Sequence, residues 1–482
     1  MVTFRKYFFY MRFFFIRLLG LATIPIIVYS PLRAQDNNTP FAYSIRKKVN
    51  VTHGAVVSAH PLASNVGVSI LRQGGNAFDA AIATQLALAV VYPAAGNIGG
   101  GGFMVAHTDK GSNIALDFRE KAPAAATRDM YLDAAGNPIA GLSENGHLAS
   151  GVPGTIAGLF AELKYARFPM SRLIQPAIDL ADKGFVLTEA EARSLNYTQT
   201  AFIKYNTISP IFVKQGGWKA GDTLVQKDLA ATLRRIRDLG AKGFYEGETA
   251  RLILGEMKRG KGIISAEDLK GYTAKEREAT TFPYHSYTVV TMPLPSSGGV
   301  ILQQMLKMVE GQPLKSYGFE SVKATHWMTE AERIAYADRA KFLGDRDYYS
   351  VPVRTLTSDA YIRKRIALID PDKAGNSVDI QAGVLSSASE ETTHLNVIDK
   401  EGNAVSITTT LNGGYGDRVV VGGAGFFLNN EMDDFSIKPG VPNMYGAVGA
   451  EANAIAPGKR MLSSMTPTLV LDKGKIFLVV GT

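Results

Sequence analysis

The sequence predicts an α+β fold in which helices pack on antiparallel sheets. Three segments each set two β-rich runs around a short turn that offers a glycine for a left-handed backbone. Between them lie stretches with helical spacing or helix-start signals. No charged or low-complexity linker divides the 482 residues, so one large domain is preferred over the several that length alone allows at about 150 residues each. Apolar residues at 46% and charged residues at 20% exclude a disordered or fibrous chain.

The chain opens with an export signal. Arg5 and Lys6 form a positive start, and residues 18–32 are uncharged. Fifteen residues are too few to span a bilayer but suit the apolar core of a signal, with cleavage expected after Ala34. An uncleaved anchor is the alternative, and no later segment is long and apolar enough to cross a membrane. The 52 basic and 44 acidic residues give +8. Five of the basic residues, Arg5, Lys6, Arg12, Arg17 and Arg33, precede Gln35 with no acid among them, which leaves +3. No basic run suits a nucleic acid. Cysteine is absent, which excludes disulfides, Cys-based zinc sites and thiol nucleophiles. The periplasm or the medium is the expected location.

The elements follow in order. A helix is expected over 76–91, with Ile82, Leu86, Ala89 and Val90 on its stripe and Pro93 beyond its end. The run Gly96-Asn97-Ile98-Gly99-Gly100-Gly101-Gly102 follows a helix and precedes a strand. It is therefore neither a P-loop nor a dinucleotide fingerprint. A tight backbone crossing and a site-lining role both remain open for it. Residues 104–107 and 114–118 flank Asp109-Lys110-Gly111 as the first hairpin. Thr188-Glu189-Ala190-Glu191 is a capping box opening a helix toward Leu195, and Ser265 to Asp268 is a weaker start of the same kind. Residues 326–342 carry Trp327, Ala331, Ile334 and Ala335 on one stripe. The other hairpins join 395–398 to 404–408 and 468–471 to 476–480. Shared turn chemistry explains their likeness better than an internal repeat.

Candidate chemistry is sparse. The seven histidines are scattered as surface or core-edge residues, with no helical pair at i, i+4 for a metal, and no G-x-S-x-G is present. No cofactor or metal is expected. Thr392 begins a β-rich run directly after the polar stretch 385–390. A threonine at a strand start is ordinary. Were the Glu391–Thr392 bond to break, however, Thr392 would gain an α-amine with a pKa of about 7.7–8.0. That amine can take the proton of its own hydroxyl, placing nucleophile and base in one residue. The same Oγ could make the cut through an N-to-O acyl shift.

Several ordered motifs give these residues a context. They are Leu116-Asp117-Phe118-Arg119-Glu120, Gly151-Val152-Pro153-Gly154, Pro295-Ser296-Ser297-Gly298-Gly299 and Glu332 to Arg339. Thr392-Thr393-His394, Leu428 to Phe435, Pro439 to Asn443 and Leu462 to Thr468 follow. Together they resemble the γ-glutamyltranspeptidase (glutathione hydrolase) family of self-processing N-terminal-nucleophile hydrolases, across nearly all of the chain after the signal. The resemblance implies a four-layer αββα sandwich divided as signal 1–34, large-subunit segment 35–391 and small-subunit segment 392–482, both subunits coming from one precursor.

The resemblance also implies roles. Thr392 is the nucleophile and new N-terminus after autocleavage at Glu391, and Thr410 hydrogen-bonds it. Arg119, Ser463 and Ser464 hold the α-carboxylate of a γ-glutamyl group. Asn412, Glu431 and Asp434 hold its α-ammonium. Residues 438–453, with Tyr445, form a lid. The implied substrates are glutathione and other γ-glutamyl compounds, with water, amino acids or peptides as acceptors. Family members run beyond the position of Thr482, where a glycine pair supplies oxyanion donors, so an incomplete small subunit is expected. A related amidase acting on another acyl amide, and an inactive chain, are the alternatives. Arg119 and Asp434 speak against the first of these, because an acyl group that is not an amino acid has no use for both.

Overall fold

The computed structural model describes residues 48–377 and 392–481. The expected export signal, residues 385–390 and Glu391 lie outside them. The strands are β1 (Gly54–Val57), β2 (Gly101–His107), β3 (Asn113–Asp117), β4 (Phe185–Val186), β5 (Thr223–Leu224) and β6 (Lys275–Arg277). They continue as β7 (Thr280–Tyr284), β8 (Tyr287–Thr291), β9 (Thr392–Asp399), β10 (Ala404–Thr410), β11 (Thr468–Asp472) and β12 (Lys475–Val480). The three expected hairpins are β2–β3, β9–β10 and β11–β12. Gly111, Gly402 and Gly474 sit in their turns at φ 82, 94 and 79°, where other residues are strained.

Six strands form an antiparallel sheet in the order β1-β9-β10-β2-β3-β6. Four form a second, β12-β11-β8-β7, and β4 pairs with β5 alone. Side-chain alternation sets the layers. Leu395, Val397, Val405, Ile407, Met104 and Ala106 face a helical layer that includes Ala77–Val91. Their neighbours Phe103, Val105, Ala115 and Ala404 face the second sheet and meet Val290, Met292, Leu469 and Leu471. Helix Gly298–Val309 lies on β7, where a Cβ on Gly299 would stand 3.0 Å from Thr280 Oγ1. It packs through Val300 and Ile301 with Trp327, Ala331, Ile334 and Ala335 of helix Val322–Phe342. The layers therefore run helix, sheet, sheet, helix.

Helix Ala77–Val91 differs from its expected stripe. All fifteen residues are buried, because the sheet covers one side and further helices the other. Asn76 and Asp79 close a capping box, and the Ala77 N–H donates to Asp399 in the β9–β10 turn at 2.9 Å. Helix Glu189–Tyr205 starts at its capping box but runs ten residues beyond Leu195. The full capping box at Ser265 opens a helix of only five residues. His60, His107 and His147 are buried rather than peripheral, each with a polar partner: Glu191, Asn113 and Glu256. No helix among the described residues is long and apolar enough to cross a membrane.

Candidate active site

The register of the first sheet builds a row of residues from Thr392. Thr392 pairs with Thr410, and Thr410 pairs with Gly101. Directly paired residues project to one face, here the face toward the second sheet. Gly102 and Phe118 exchange both backbone hydrogen bonds, at 3.3 and 3.1 Å. One further residue sets Arg119 opposite Gly101. Adjacent strands lie about 4.8 Å apart, so the row spans roughly 14 Å of backbone from Thr392 to Arg119.

The glycine run is a close crossing that also lines this row. A Cβ on Gly100 would stand 2.1 Å from the Thr410 carbonyl oxygen, and one on Gly102 would stand 2.3 Å from that of Thr408. A Cβ on Gly101 would meet the Glu120 carboxyl at 2.7 Å. No larger side chain fits these three positions without moving backbone. Asn97 fastens the run by donating to the Thr410 carbonyl at 2.8 Å and accepting from the Gly100 N–H at 2.9 Å.

Arg119 ends the row as a wholly buried guanidinium. One nitrogen meets Glu431 Oε2 at 2.6 Å, and another pairs with Asp434. Burial strengthens such pairs and makes a missing partner costly. Glu120 lies beside them, 3.8 Å from Arg119 Nη1 and fully buried. Neither of its oxygens has a hydrogen bond among the described residues. Burial pushes its pKa up to about 8, against the pull of Arg119. One guanidinium already shared by two carboxylates does not hold a third in its ionised form.

Thr410 leads from the row to the segment 438–453. Its Oγ1 accepts from the Asn412 N–H at 2.8 Å. Asn412 sits at φ 73°, an uncommon conformation for a non-glycine residue. Its side chain donates to the Asn430 carbonyl at 3.0 Å, and its own carbonyl accepts from the Tyr445 hydroxyl at 2.7 Å. Around Tyr445 that segment braces itself. Asn443 Oδ1 accepts from the N–H groups of Tyr445 and Ala447, and Asn443 Nδ2 donates to Asp434 at 3.1 Å. The Met444 N–H donates to Asp433 at 2.9 Å, and burial raises the Asp433 pKa to about 6.

Ser463 and Ser464 follow a stretch whose Met461 and Leu462 carbonyls accept from Arg119 at 3.5 and 3.4 Å. Ser463 is buried, and its Oγ accepts from the Met465 N–H at 3.1 Å. Ser464 is half-buried, and its Oγ accepts from Arg339 at 3.0 Å. The structure therefore brings Arg119, Glu431 and Asp434 into direct contact, joins Thr392 to them through the sheet row, and sets Thr410, Asn412 and Tyr445 in a second connected line. A cleft of about 280 Å³ between residues 208–211, 225–229 and 420–425 includes none of these residues.

Comparison with known proteins agrees with this architecture. Residues 63–482 match the Gamma-glutamyltranspeptidase family. The chain is 49% identical over 437 residues to a glutathione hydrolase proenzyme of Pseudomonas sp. strain A14, covering 90% of this chain and 76% of that protein. The chain belongs to the γ-glutamyltranspeptidase family. It is also 47% identical over 451 residues to the glutathione hydrolase proenzyme of Escherichia coli K12, covering 92% and 78% of the two chains. The crystal structure of Helicobacter pylori γ-glutamyltranspeptidase superposes with a TM-score of 0.67 at 47% identity, covering 71% of this chain and 98% of that one.

In this γ-glutamyltranspeptidase-family chain, some residues of the site carried no role in the sequence. Glu120 and Arg339 stand inside motifs shared with the family, yet burial and partners are visible only in the fold. Asn429 is another. Its side chain donates to the Gly99 and Gly151 carbonyls and accepts from the Gly151 and Glu431 N–H groups, all within 2.8–3.1 Å. It fastens two glycine loops to the Arg119 cluster. His394 faces the second sheet two residues from Thr392, bonded to Thr408 and Asn396, and burial lowers its pKa to about 4.

Proposed function

We propose that this protein is an exported γ-glutamyltransferase and glutathione hydrolase that cuts itself between Glu391 and Thr392. The Arg119–Asp434 pair carries this reading. An amino-acid head presents a carboxylate and an ammonium on one carbon. Its carboxylate takes the place of Asp434 on Arg119, and its ammonium takes the place of Arg119 on Asp434 and Glu431, with Asn412 as a further partner. The two buried charges are thus never left without a partner. Ser463 and Ser464 add donors to the carboxylate. An acyl group without that head would break the pair and compensate neither half.

With the head clamped, the γ-carbonyl is presented toward Thr392. The free α-amine of Thr392 takes the proton of its Oγ, and the Oγ attacks the carbonyl. The amide nitrogen leaves with a proton, and a γ-glutamyl ester remains on Thr392. Water or an acceptor amine then attacks the ester and restores the hydroxyl. Thr410, paired opposite, supports the nucleophile, and the Tyr445 lid closes over the head. The 1–34 signal directs export, and the segments 35–391 and 392–482 separate as large and small subunits.

Two readouts test this. The purified protein should split near Glu391 on a gel and release chromophore from γ-glutamyl-p-nitroanilide, whereas Thr392→Ala should do neither. A Thr392→Ala chain that still splits refutes the assignment of Thr392. A split protein without turnover refutes the activity.

A further inference from the structure

Arg339 differs from the other buried arginines. Arg119 and Arg460 each pair with at least one carboxylate, as do the half-buried Arg277 and Arg365. Arg339 is 7% exposed. Its side chain donates to two serine hydroxyls, Ser297 at 3.1 Å from Nε and Ser464 at 3.0 Å from Nη2. No carboxylate stands within ion-pair range of it among the described residues. Its neighbour Asp338 is taken by Arg365, Tyr361 and Gln304. A buried cation without a counter-charge is costly.

The two hydroxyls give this cation a direction. Ser297 accepts from Arg339 and donates from both its Oγ and its N–H to the Ser463 carbonyl, at 2.8 and 2.7 Å. Ser464 accepts from Arg339 directly, which leaves its own proton free to donate elsewhere. One planar fork therefore fixes both Ser463 and Ser464, and Ser464 is the more exposed of the two. We propose that Arg339 is a positioning residue for the α-carboxylate of the γ-glutamyl substrate, aiming the Ser464 hydroxyl at that carboxylate and supplying a second positive charge behind it. This rests on the reading of Ser463 and Ser464 given above. It gives a use to the Ser297 and Arg339 motifs, which the reaction had left idle.

The test compares two chromogenic amides. One is γ-glutamyl-p-nitroanilide. The other is 4-aminobutyryl-p-nitroanilide, which keeps the ammonium and lacks the α-carboxylate. Arg339→Gln should raise KM for the first about 10- to 100-fold, the range for a hydrogen bond to a charged group, with kcat little changed. For the second amide, Arg339→Gln and the parent should give the same kcat/KM. Arg339→Lys, which keeps the charge without the fork, should fall between. Equal losses on both amides would assign Arg339 to fold support and overturn the proposal, as would an unchanged KM on the first. A parent that hydrolyses neither amide overturns the proposed function and this inference with it. An active parent whose Arg339 variants fail the comparison overturns this inference alone.

Discussion

Replacing Glu120 with glutamine should flatten the alkaline limb of the protein's pH–stability profile. The Glu120 carboxyl is fully buried, lacks a hydrogen bond among the described residues, and has its pKa pushed up to about 8 by burial. In the unfolded chain the same group titrates near 4.5. The folded state therefore holds a proton that the unfolded chain releases. This contribution is full below pH 4.5 and is lost as pH rises through about 8. The loss accrues at about 1.4 kcal/mol per pH unit, on the order of 5 kcal/mol in all. Glutamine has nearly the same shape and no proton to lose. Its extra donor costs a fixed amount that does not change with pH. Urea unfolding of Thr392→Ala and Thr392→Ala/Glu120→Gln chains, at intervals from pH 4.5 to 9, isolates the effect, because every other group cancels in the difference. Stability of the glutamine variant relative to its parent should climb by several kcal/mol between pH 4.5 and 8, then level off. A difference constant across that range would refute the account of Glu120 as a neutral acid.

Two further outcomes follow from the same geometry. Tyr445→Phe removes the 2.7 Å hydrogen bond to the Asn412 carbonyl. It should weaken retention of L-glutamate by about 0.5–1.5 kcal/mol, read by calorimetric titration, with the melting temperature little changed. Gly101→Ala drives a Cβ to 2.5 Å from the Phe118 carbonyl oxygen and 2.7 Å from Glu120. It should cost about 1–3 kcal/mol in urea unfolding and lower turnover as well, since Gly101 stands between Thr410 and Arg119 in the row.

The hairpins were legible because their turn glycines and β-rich flanks are local. Gly111, Gly402 and Gly474 announce φ values that few other residues adopt. Helix Ala77–Val91 was legible in place but not in surroundings. A stripe of Ile82, Leu86 and Val90 looks the same whether the opposite face meets water or, as here, protein. The candidate site was reached through family resemblance rather than through residue chemistry. Thr392 alone is an ordinary strand residue, and Arg119 meets Asp434 across 315 positions. Arg339 and Ser464 lie 125 positions apart. No local pattern marks a buried cation with no carboxylate beside it among the described residues, because that property belongs to what surrounds the side chain in the fold.

The strand order has a consequence for a chain cut at Thr392. The hairpin β9–β10 belongs after the cut, and it lies between β1 and β2, which belong before it. In the second sheet, β11 and β12 from after the cut border β8 and β7 from before it. The two products of cleavage are therefore interleaved rather than docked. Parting them would mean stripping a hairpin out of the middle of a sheet, which is unfolding and not dissociation. Dilution should leave the pair intact, and its persistence should be governed by an unfolding rate instead of a binding constant. Thr392 can thus be released from its covalent neighbour while the sheet row that aims it stays in register.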